Sequence, residues 1–354
     1  MRPFSVCLSG LLLISVGLLG TAHAESETPS LPASTHALKG DANIAELRRL
    51  LQQPEGSIDL AQAKAAIDRM VDPKVDIRKT LDQLDQWADK VRARFPPGAS
   101  SKAKLDLLIS TLYQPGPWND GQPFVYDFSD PRGQDISGML LSNYLAKRKG
   151  QCAIMPIAFV LLGQKLGLPV TMSVAPYHLL VKYGDEDIGQ WTNVEATSGR
   201  IYPDSGYERS PVLNIPPEGI EQGTFLRPFT QRESVALFAT TTLAPYYREK
   251  HQPERLLQVA DLILEANPKD AVAMTLKGDA YYQLIEQRYK RKYPSVSQIP
   301  VVMRADYLFL SHQNLLWYAT AEAIGWREWS QEQWVKYQEH FIKQKAADRK
   351  GGMQ

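Results

Sequence analysis

Cysteine is almost absent from this sequence. Its 354 residues include only two, Cys7 and Cys152, and Cys7 lies in an N-terminal stretch that we expect to be removed. A mature chain with a single cysteine cannot form an internal disulfide. The remaining thiol, at Cys152, is then either reactive, paired with another chain, or buried as a small apolar group.

Long hydrophobic runs are absent as well. The N-terminal apolar run Leu11–Leu19 is too short to span a bilayer. It follows Arg2 and precedes the small-residue segment Ala22-His23-Ala24, which together make the pattern of a secretory signal peptide cleaved before Glu25. We therefore expect residues 1–24 to be a signal peptide and the mature chain to have no integral membrane segment.

An excess of one charge is also lacking. Lys and Arg number 40 and Asp and Glu 39, and the loss of Arg2 with the signal peptide leaves 39 of each. This balance argues against nucleic acid or an anionic membrane as a partner held by charge. The histidines do not have the spacing of metal ligands, and the sequence has no Gly-rich phosphate loop or dinucleotide-binding fingerprint. We therefore predict no metal and no organic cofactor.

The stretch from Lys147 to Gly199 carries the strongest pattern. Its apolar run predicts a buried helix over 153–166. Pro156 lacks an N–H and fits only in the first turn, so the helix starts at about Cys152. Free backbone N–H groups and the helix dipole at that end favour a thiolate.

Three strands are predicted after this helix, which ends at Gly167-Leu168-Pro169. Apolar alternation places them at Val170–Val174, His178–Tyr183 and Gln190–Thr197. His178 is the one histidine that stands on a strand near Cys152 in the sequence. A thiol at a helix N-terminus, with a histidine on the next strands, is the arrangement of nucleophile and base in cysteine acyl-transfer chemistry.

The residue that orients His178 has two candidates on the third strand. Asn193 and Glu195 point to the same face of a strand, because side chains alternate with a period of two. Either residue type orients histidines in known triads. The residues alone leave this choice open.

Four segments of the stretch together carry a family resemblance. They are KGQC, KLGLPV, APYHLLVKY and WTNVEATSG. This pattern resembles the transglutaminase-like core and, more narrowly, a bacterial branch in which tetratricopeptide-like helices follow the core. The resemblance covers roughly residues 75–290. It implies an α+β fold: a transglutaminase-like (papain-like) cysteine core with N-terminal helices and a C-terminal α-helical tetratricopeptide-like domain.

The resemblance also implies roles for three residues. Cys152 matches the nucleophile, His178 the general base, and Glu195 the residue that orients the histidine. The superfamily usually has aspartate at the third position, so Glu195 departs from the pattern. Gly199 matches the family's spacing after its acidic residue, which favours Glu195 over Asn193.

Residues 114–135 form a Gly/Pro/Asp-rich loop with four aromatic residues, and loops of this length are often functional. Trp118 is a candidate to line the acyl groove or to donate its indole N–H to an oxyanion beside the Cys152 backbone N–H. Alternatively, the aromatic residues only attach the loop to the core. Tyr177, next to His178, is a second candidate for a substrate or oxyanion contact.

Composition and periodicity divide the rest of the chain. Residues 25–41, rich in Ser, Thr, Pro and Glu, predict a disordered tether. Residues 42–232 hold a helical lead-in and the transglutaminase-like core, and residues 233–350 are predicted to be helical. Within them, 253–284 resembles one tetratricopeptide unit hinged at 267–270. One unit cannot bury its own faces, so it either packs on flanking helices or binds a protein partner.

Two functions from different classes follow. The first is a cysteine-dependent amide hydrolase or acyltransferase of the periplasm, acting on a peptide, a protein or a peptidoglycan stem peptide through Cys152, His178 and Glu195. The second is a catalytically silent binding or scaffold protein of the cell envelope that uses the same groove and the helical array. The ordered Cys, His and carboxylate favour the enzyme.

Overall fold

The computed structural model describes residues 41–130 and 133–351. The predicted signal peptide and the predicted tether up to residue 40 lie outside the described residues. Four helices open the described chain, and each is begun by a side chain that accepts a hydrogen bond from a backbone N–H of the first turn. Those caps are Asp41, Asp59, Asp76 and Ser100. The helices are α1 (Ala42–Leu51), α2 (Leu60–Val71), α3 (Ile77–Arg92) and α4 (Ser101–Tyr113).

The predicted aromatic loop contains a short 3₁₀ turn at Pro117–Asn119 and a two-residue strand, β1 (Val125–Tyr126). After this loop come a second 3₁₀ turn, Ile136–Met139, and then α5 (Leu141–Lys147). The next strand, β2 (Lys149–Gly150), pairs with β1 in parallel and so fixes the chain that leads to Cys152.

A long apolar helix, α6 (Ile154–Lys165), follows at the position predicted for it. Every residue from Ile154 to Gly163 is buried, as expected for a helix that is apolar on all sides. Pro156 lies in the first turn. Gly167, at a φ of +71°, follows the last turn, where a left-handed residue commonly ends a helix.

A four-stranded antiparallel sheet comes next and confirms the three predicted strands. The strands are adjacent in chain order, with Val181 opposite Val194 in the central pair. Helix α6 packs against α3, α5 and the first two strands of the sheet. The strands are β3 (Val170–Ala175), β4 (His178–Asp185), β5 (Gln190–Glu195) and β6 (Arg200–Tyr202).

The remaining described elements are helices. A π-helical turn, Ala239–Leu243, joins two of these helices, because Pro245 has no N–H to donate to the preceding turn. The helices are α7 (Asp204–Glu208), α8 (Pro217–Glu221), α9 (Gln231–Phe238), α10 (Ala244–Glu249), α11 (Pro253–Ala266), α12 (Ala271–Ile285), α13 (Val301–Ala323) and α14 (Gln331–Gly351). Helices α11 and α12 pack together, and α13 packs on α12.

A buried ion pair joins the lead-in helices to the rest of the core. Lys64 and Asp68 lie one turn apart on α2 and are fully buried. The Lys64 ammonium also donates to the Met139 carbonyl oxygen at 2.7 Å, and Asp68 accepts from the Leu141 N–H at 2.8 Å. The pair thus satisfies backbone groups at the start of α5 that have no other partner there.

The described residues, 41–130 and 133–351, form one compact unit. None of the helices in this part of the chain has the length and apolar character needed to cross a bilayer.

Candidate active site

Cys152 lies in a turn two residues before the start of α6 and is half-buried. Its Sγ is 3.9 Å from the carbonyl oxygen of Tyr177. The turn is tightly packed, because a Cβ on Gly150 would lie 2.6 Å from side-chain atoms of Ile154 and Tyr144. Glycine is therefore needed two residues before the cysteine, and it brings the thiol close to the end of the β3–β4 turn.

His178 opens β4 and is buried beside the thiol. Its Nε2 lies 2.7 Å from Oε2 of Glu195 on β5. A hydrogen bond with Cys152 contributes to the charge state of the ring. Because Glu195 occupies Nε2, Nδ1 is the nitrogen that is left for the thiol.

Glu195 is held in place by several other donors. Its Oε1 accepts from the backbone N–H of Thr197 at 3.1 Å and from the hydroxyl of the same residue at 2.6 Å. Its Oε2 also accepts from the Tyr207 hydroxyl at 3.2 Å. These contacts fix the longer glutamate side chain at the end of β5, where the superfamily pattern has aspartate.

The charge state of His178 follows from these neighbours. Burial alone would lower the pKa of the imidazole, but the Glu195 charge and the hydrogen bonds with Cys152 and Glu195 outweigh it and raise the pKa to about 10. His178 is therefore an imidazolium at neutral pH, next to the thiol.

Two buried tyrosines border the same thiol. Burial, together with the nearby Cys152 and Glu195, raises the pKa of Tyr126 and of Tyr337 above the usual range. Both hydroxyls are therefore neutral and keep their protons for donation.

Asn193, the other candidate for orienting His178, contacts a different group. Its side-chain amide donates to Asp204 at 2.7 Å and to the Tyr202 carbonyl oxygen at 3.1 Å. Lys182 forms a salt bridge with the same Asp204. The structure thus places Glu195, and not Asn193, against His178.

Trp118 does not present a free indole N–H. The group donates to the Gln114 carbonyl oxygen at 3.3 Å, and the Arg94 guanidinium lies 3.6 Å from the ring centroid. The ring therefore holds its own loop against α3 and α4, as the alternative interpretation of the aromatic loop expects.

Tyr177, the second candidate for a substrate contact, belongs to an aromatic cluster that covers the site. It adopts a left-handed backbone conformation with a φ of +54°. Its ring lies 4.6 Å from that of Trp329 and 4.7 Å from that of Trp334, measured between centroids. Trp329 also packs on Tyr337, at 5.2 Å. We call these four residues, Tyr177, Trp329, Trp334 and Tyr337, the aromatic cover.

The aromatic cover brings the C-terminal helix onto the site. The Tyr337 hydroxyl lies 3.4 Å from Nδ1 of His178. Sequence reasoning did not include Trp329, Trp334 or Tyr337 among the site residues. The one feature of the sequence that could have indicated these residues is the density of aromatic side chains, since residues 326–337 contain four.

The possible metal ligands of the described residues are their acidic, histidine and cysteine side chains. Within the described ranges, no group of three or more of them is arranged to hold an ion.

One family model matches the part of the chain that holds this site. Residues 78–236 match the model of the transglutaminase-like superfamily. This part of the chain is similar to transglutaminase-like domains. It runs from α3 into α9 and includes Cys152, His178 and Glu195. The matched part contains both helices and strands. Helices α10 to α14 lie outside the match.

Similarity between this chain and whole proteins of known structure or function is weak. No curated protein matches the chain. Among solved structures it is similar to menin, in the crystal structure that reveals the binding site for the Mixed Lineage Leukemia protein. That similarity has a TM-score of 0.42 and 16% sequence identity, and it covers 83% of this chain and 69% of menin. At this level it supports no statement about function.

Proposed function

We propose that this protein is a cysteine-dependent acyl-transfer enzyme of the bacterial cell envelope. Cys152 is the nucleophile, His178 the general acid and base, and Glu195 the residue that orients His178. One observation carries the proposal: the buried ring of His178 lies beside the thiol, and its Nε2 is 2.7 Å from Oε2 of Glu195. A histidine held in this way can exchange a proton with a thiol and with a leaving group, and the thiolate is the reactive form of cysteine.

The first half of the reaction consumes an amide. The Cys152 thiolate adds to the carbonyl carbon, and the carbonyl electrons move to oxygen. When the C–N bond breaks, the His178 imidazolium gives its proton to the leaving amine. The products are a thioester on Cys152, a free amine and a neutral imidazole. Glu195 keeps the ring oriented throughout.

The second half regenerates the thiol. His178 takes a proton from water as the oxygen attacks the thioester, giving a carboxylic acid, and the thiolate leaves. If an amine attacks instead, the product is a new amide. Candidates to stabilise the oxyanion are the Cys152 backbone N–H and the neutral hydroxyls of Tyr126 and Tyr337, which lie close to the thiol.

The substrate that we propose is an amide in a peptide, a protein or a peptidoglycan stem peptide. The signal-peptide pattern of residues 1–24 supports an envelope location, where all three occur. Helices α11 and α12, joined at 267–270, support a tetratricopeptide-like unit in the C-terminal region. They offer a second contact for a protein partner.

The aromatic cover favours a second candidate, a binding protein without turnover. Tyr337 lies against His178 where an acyl group would have to enter. In this alternative the groove presents a binding surface, and the thiol does not react.

Alkylation of Cys152 by iodoacetamide separates the two candidates. An unperturbed thiol, with a pKa near 8.5, is about 0.3% ionised at pH 6. We expect the wild type to be labelled at pH 6 much faster than this fraction allows, and His178→Ala to lose the excess. His340→Ala, at an exposed histidine, is the matched control and is expected to behave as the wild type. If the wild type and His178→Ala share one plain thiol profile, catalysis is excluded and the binding role stands.

A further inference from the structure

Helix α13 exposes an apolar face that no other element of the described chain covers. Its six large exposed hydrophobic residues have relative exposures between 39% and 91%, with Val302 the highest and Leu315 at 67%. Fourteen such residues occur in the described chain, so this single helix holds nearly half of them. Exposed apolar patches of this kind mark interaction sites. The six are Val301, Val302, Leu308, Phe309, Leu315 and Leu316.

The exposed positions follow a heptad repeat. They recur at alternating steps of four and three residues, and every seven residues a second exposed position stands next to the first. This spacing of 3.5 residues is that of a helix which packs lengthwise against another helix. We call the set the α13 stripe; its members are Val301, Val302, Ala305, Leu308, Phe309, His312, Leu315, Leu316 and Ala319. It spans about 27 Å along the helix.

The opposite face of α13 is already occupied. Asn314 donates to the Gly278 carbonyl oxygen of α12 at 2.9 Å, and a Cβ on Gly278 would lie 2.8 Å from the Tyr318 ring. Leu310 and Ala321 are buried against the same side. The helix is thus held by α12 on one face, and the stripe itself is touched by α12 at its edge, where the Phe309 ring meets that of Tyr281 at 6.4 Å between centroids.

We infer that the α13 stripe is the interface of a homodimer, in which a second copy of this chain packs antiparallel against it. This inference is independent of the proposed enzymatic function, because no residue of the stripe belongs to the candidate active site.

Charge favours an antiparallel second copy. Arg304 and Glu322 are exposed charged residues at opposite ends of the stripe, whereas the third charged residue of α13, Asp306, is paired with Arg288 and accepts from the Tyr289 hydroxyl. Antiparallel pairing brings Arg304 of each copy within about one turn of Glu322 of the other copy. Parallel pairing would place like charges together at both ends, which is unfavourable.

Side-chain size favours the same arrangement. With the two-fold axis at His312, Ala305 faces Ala319 of the second copy, so the helices approach closely there. Leu308 then faces Leu316, and Phe309 faces Leu315, so that large residues pack with large ones between the alanines. Both contacts repeat by symmetry, as in any two-fold interface.

A membrane surface fits the α13 stripe less well. Helices that lie on anionic membranes carry several Lys and Arg residues beside the apolar face. Helix α13 has one basic residue, Arg304, and its side chain donates to the carbonyl oxygens of Ser297 and Ile299.

Sedimentation equilibrium of the intact secreted chain tests the dimer. We expect a mass that rises from one chain to two with concentration. Leu308→Glu with Leu315→Glu should raise the dissociation constant by at least about a hundredfold, because each leucine is buried twice in the dimer. Val272→Glu with Ile188→Glu, at exposed residues elsewhere, is the matched control and should leave it unchanged.

Two further experiments test the direction of packing. Arg304→Glu should weaken the dimer, and the addition of Glu322→Arg should restore it. In a Cys152→Ser background, a mixture of Ala305→Cys and Ala319→Cys chains should form a disulfide-linked dimer under mild oxidation, while each variant alone should not.

Several results would overturn the inference. A wild type that stays monomeric at every concentration would exclude the dimer. So would leucine substitutions that act no more strongly than the control pair. Cross-linking of either cysteine variant alone would show parallel packing and exclude the antiparallel arrangement.

Discussion

The Tyr337 hydroxyl lies 3.4 Å from Nδ1 of His178, although 159 residues separate the two in the chain. Since Nε2 is engaged by Glu195, Nδ1 is the nitrogen that exchanges a proton with Cys152 in the proposed reaction. The C-terminal helix therefore contacts the atom on which the proposed chemistry depends, and we expect the aromatic cover to limit the entry of a substrate.

Opening the aromatic cover should make Cys152 more reactive. Trp334→Ala removes a ring that packs on Tyr177, Trp329 and Tyr337. We expect alkylation of Cys152 to become severalfold faster, with a larger gain for a bulky maleimide than for iodoacetamide, because the barrier is steric. Trp118→Ala, at a tryptophan that packs on Arg94, is the control. Equal rates for the two variants would show that the cover does not limit access.

Removing the charge of Glu195 should abolish the activation of the thiol. Glu195→Gln keeps the size of the side chain but not the charge that raises the pKa of His178. The rate of alkylation at pH 6 should fall on the order of a hundredfold or more. Asn193→Ala should change it little, since Asn193 contacts Asp204. A reversed order of effects would assign the orienting role to Asn193.

The stability of the fold should depend on pH through His178. Its pKa rises from 6.5 in the unfolded chain to about 10 in the fold. A raised pKa stabilises the folded state fully below pH 6.5, and this stabilisation is lost as the pH rises toward 10.

Urea unfolding at a series of pH values measures this linkage. The stability difference between the wild type and His178→Gln should shrink between pH 6.5 and pH 10, by a few kcal/mol. His340→Gln, at an exposed histidine, should show no such change. A difference that stays constant with pH would contradict the raised pKa.

Breaking the buried ion pair of α2 should destabilise the protein strongly. Lys64→Met leaves the Asp68 carboxylate buried without its cation, and burial already raises the pKa of that carboxyl. We expect a loss of about 3–5 kcal/mol in the free energy of unfolding. Lys102→Met, which breaks the exposed pair with Asp106, should cost less than about 1 kcal/mol. Similar losses in both variants would show that burial of the pair is unimportant.

Local signals in the sequence were sufficient for the elements around Cys152. Pro156 predicted where α6 begins, and the glycine at 167 predicted where it ends. Alternation of apolar residues predicted β3 and β4. These features depend on neighbours a few residues apart, so a single sequence contains them.

The alternation of residues along β5 was not enough to predict which of its side chains contacts His178. Asn193 and Glu195 share a strand face by alternation, yet they contact different groups. The Glu195 carbonyl oxygen accepts from the N–H groups of Ser198 and Gly199, so the chain turns there and aims the carboxylate at His178. Gly199 permits this turn with a φ of +73°. The spacing from Glu195 to Gly199, and not the alternation along the strand, indicated that Glu195 is the residue that orients His178.

The aromatic cover was beyond sequence reasoning. Nothing in the pattern of residues 326–337 says which surface their rings cover, because the contact depends on how α8, α12 and α13 direct the chain back to the core. The π-helical turn before Pro245 could not be predicted from the sequence either. A proline tends to end a helix, and whether the chain stays helical there depends on tertiary packing.

The separation between the site and the aromatic cover along the chain also has a consequence for biosynthesis. Tyr337 follows Glu195 by 142 residues. At ordinary rates of synthesis, the thiol, the imidazole and the carboxylate all exist on the order of ten seconds before the residue that shields them. Nascent chains, and fragments cut after α13, therefore carry Cys152 without its shelter, and the completed C-terminus is what protects the thiol.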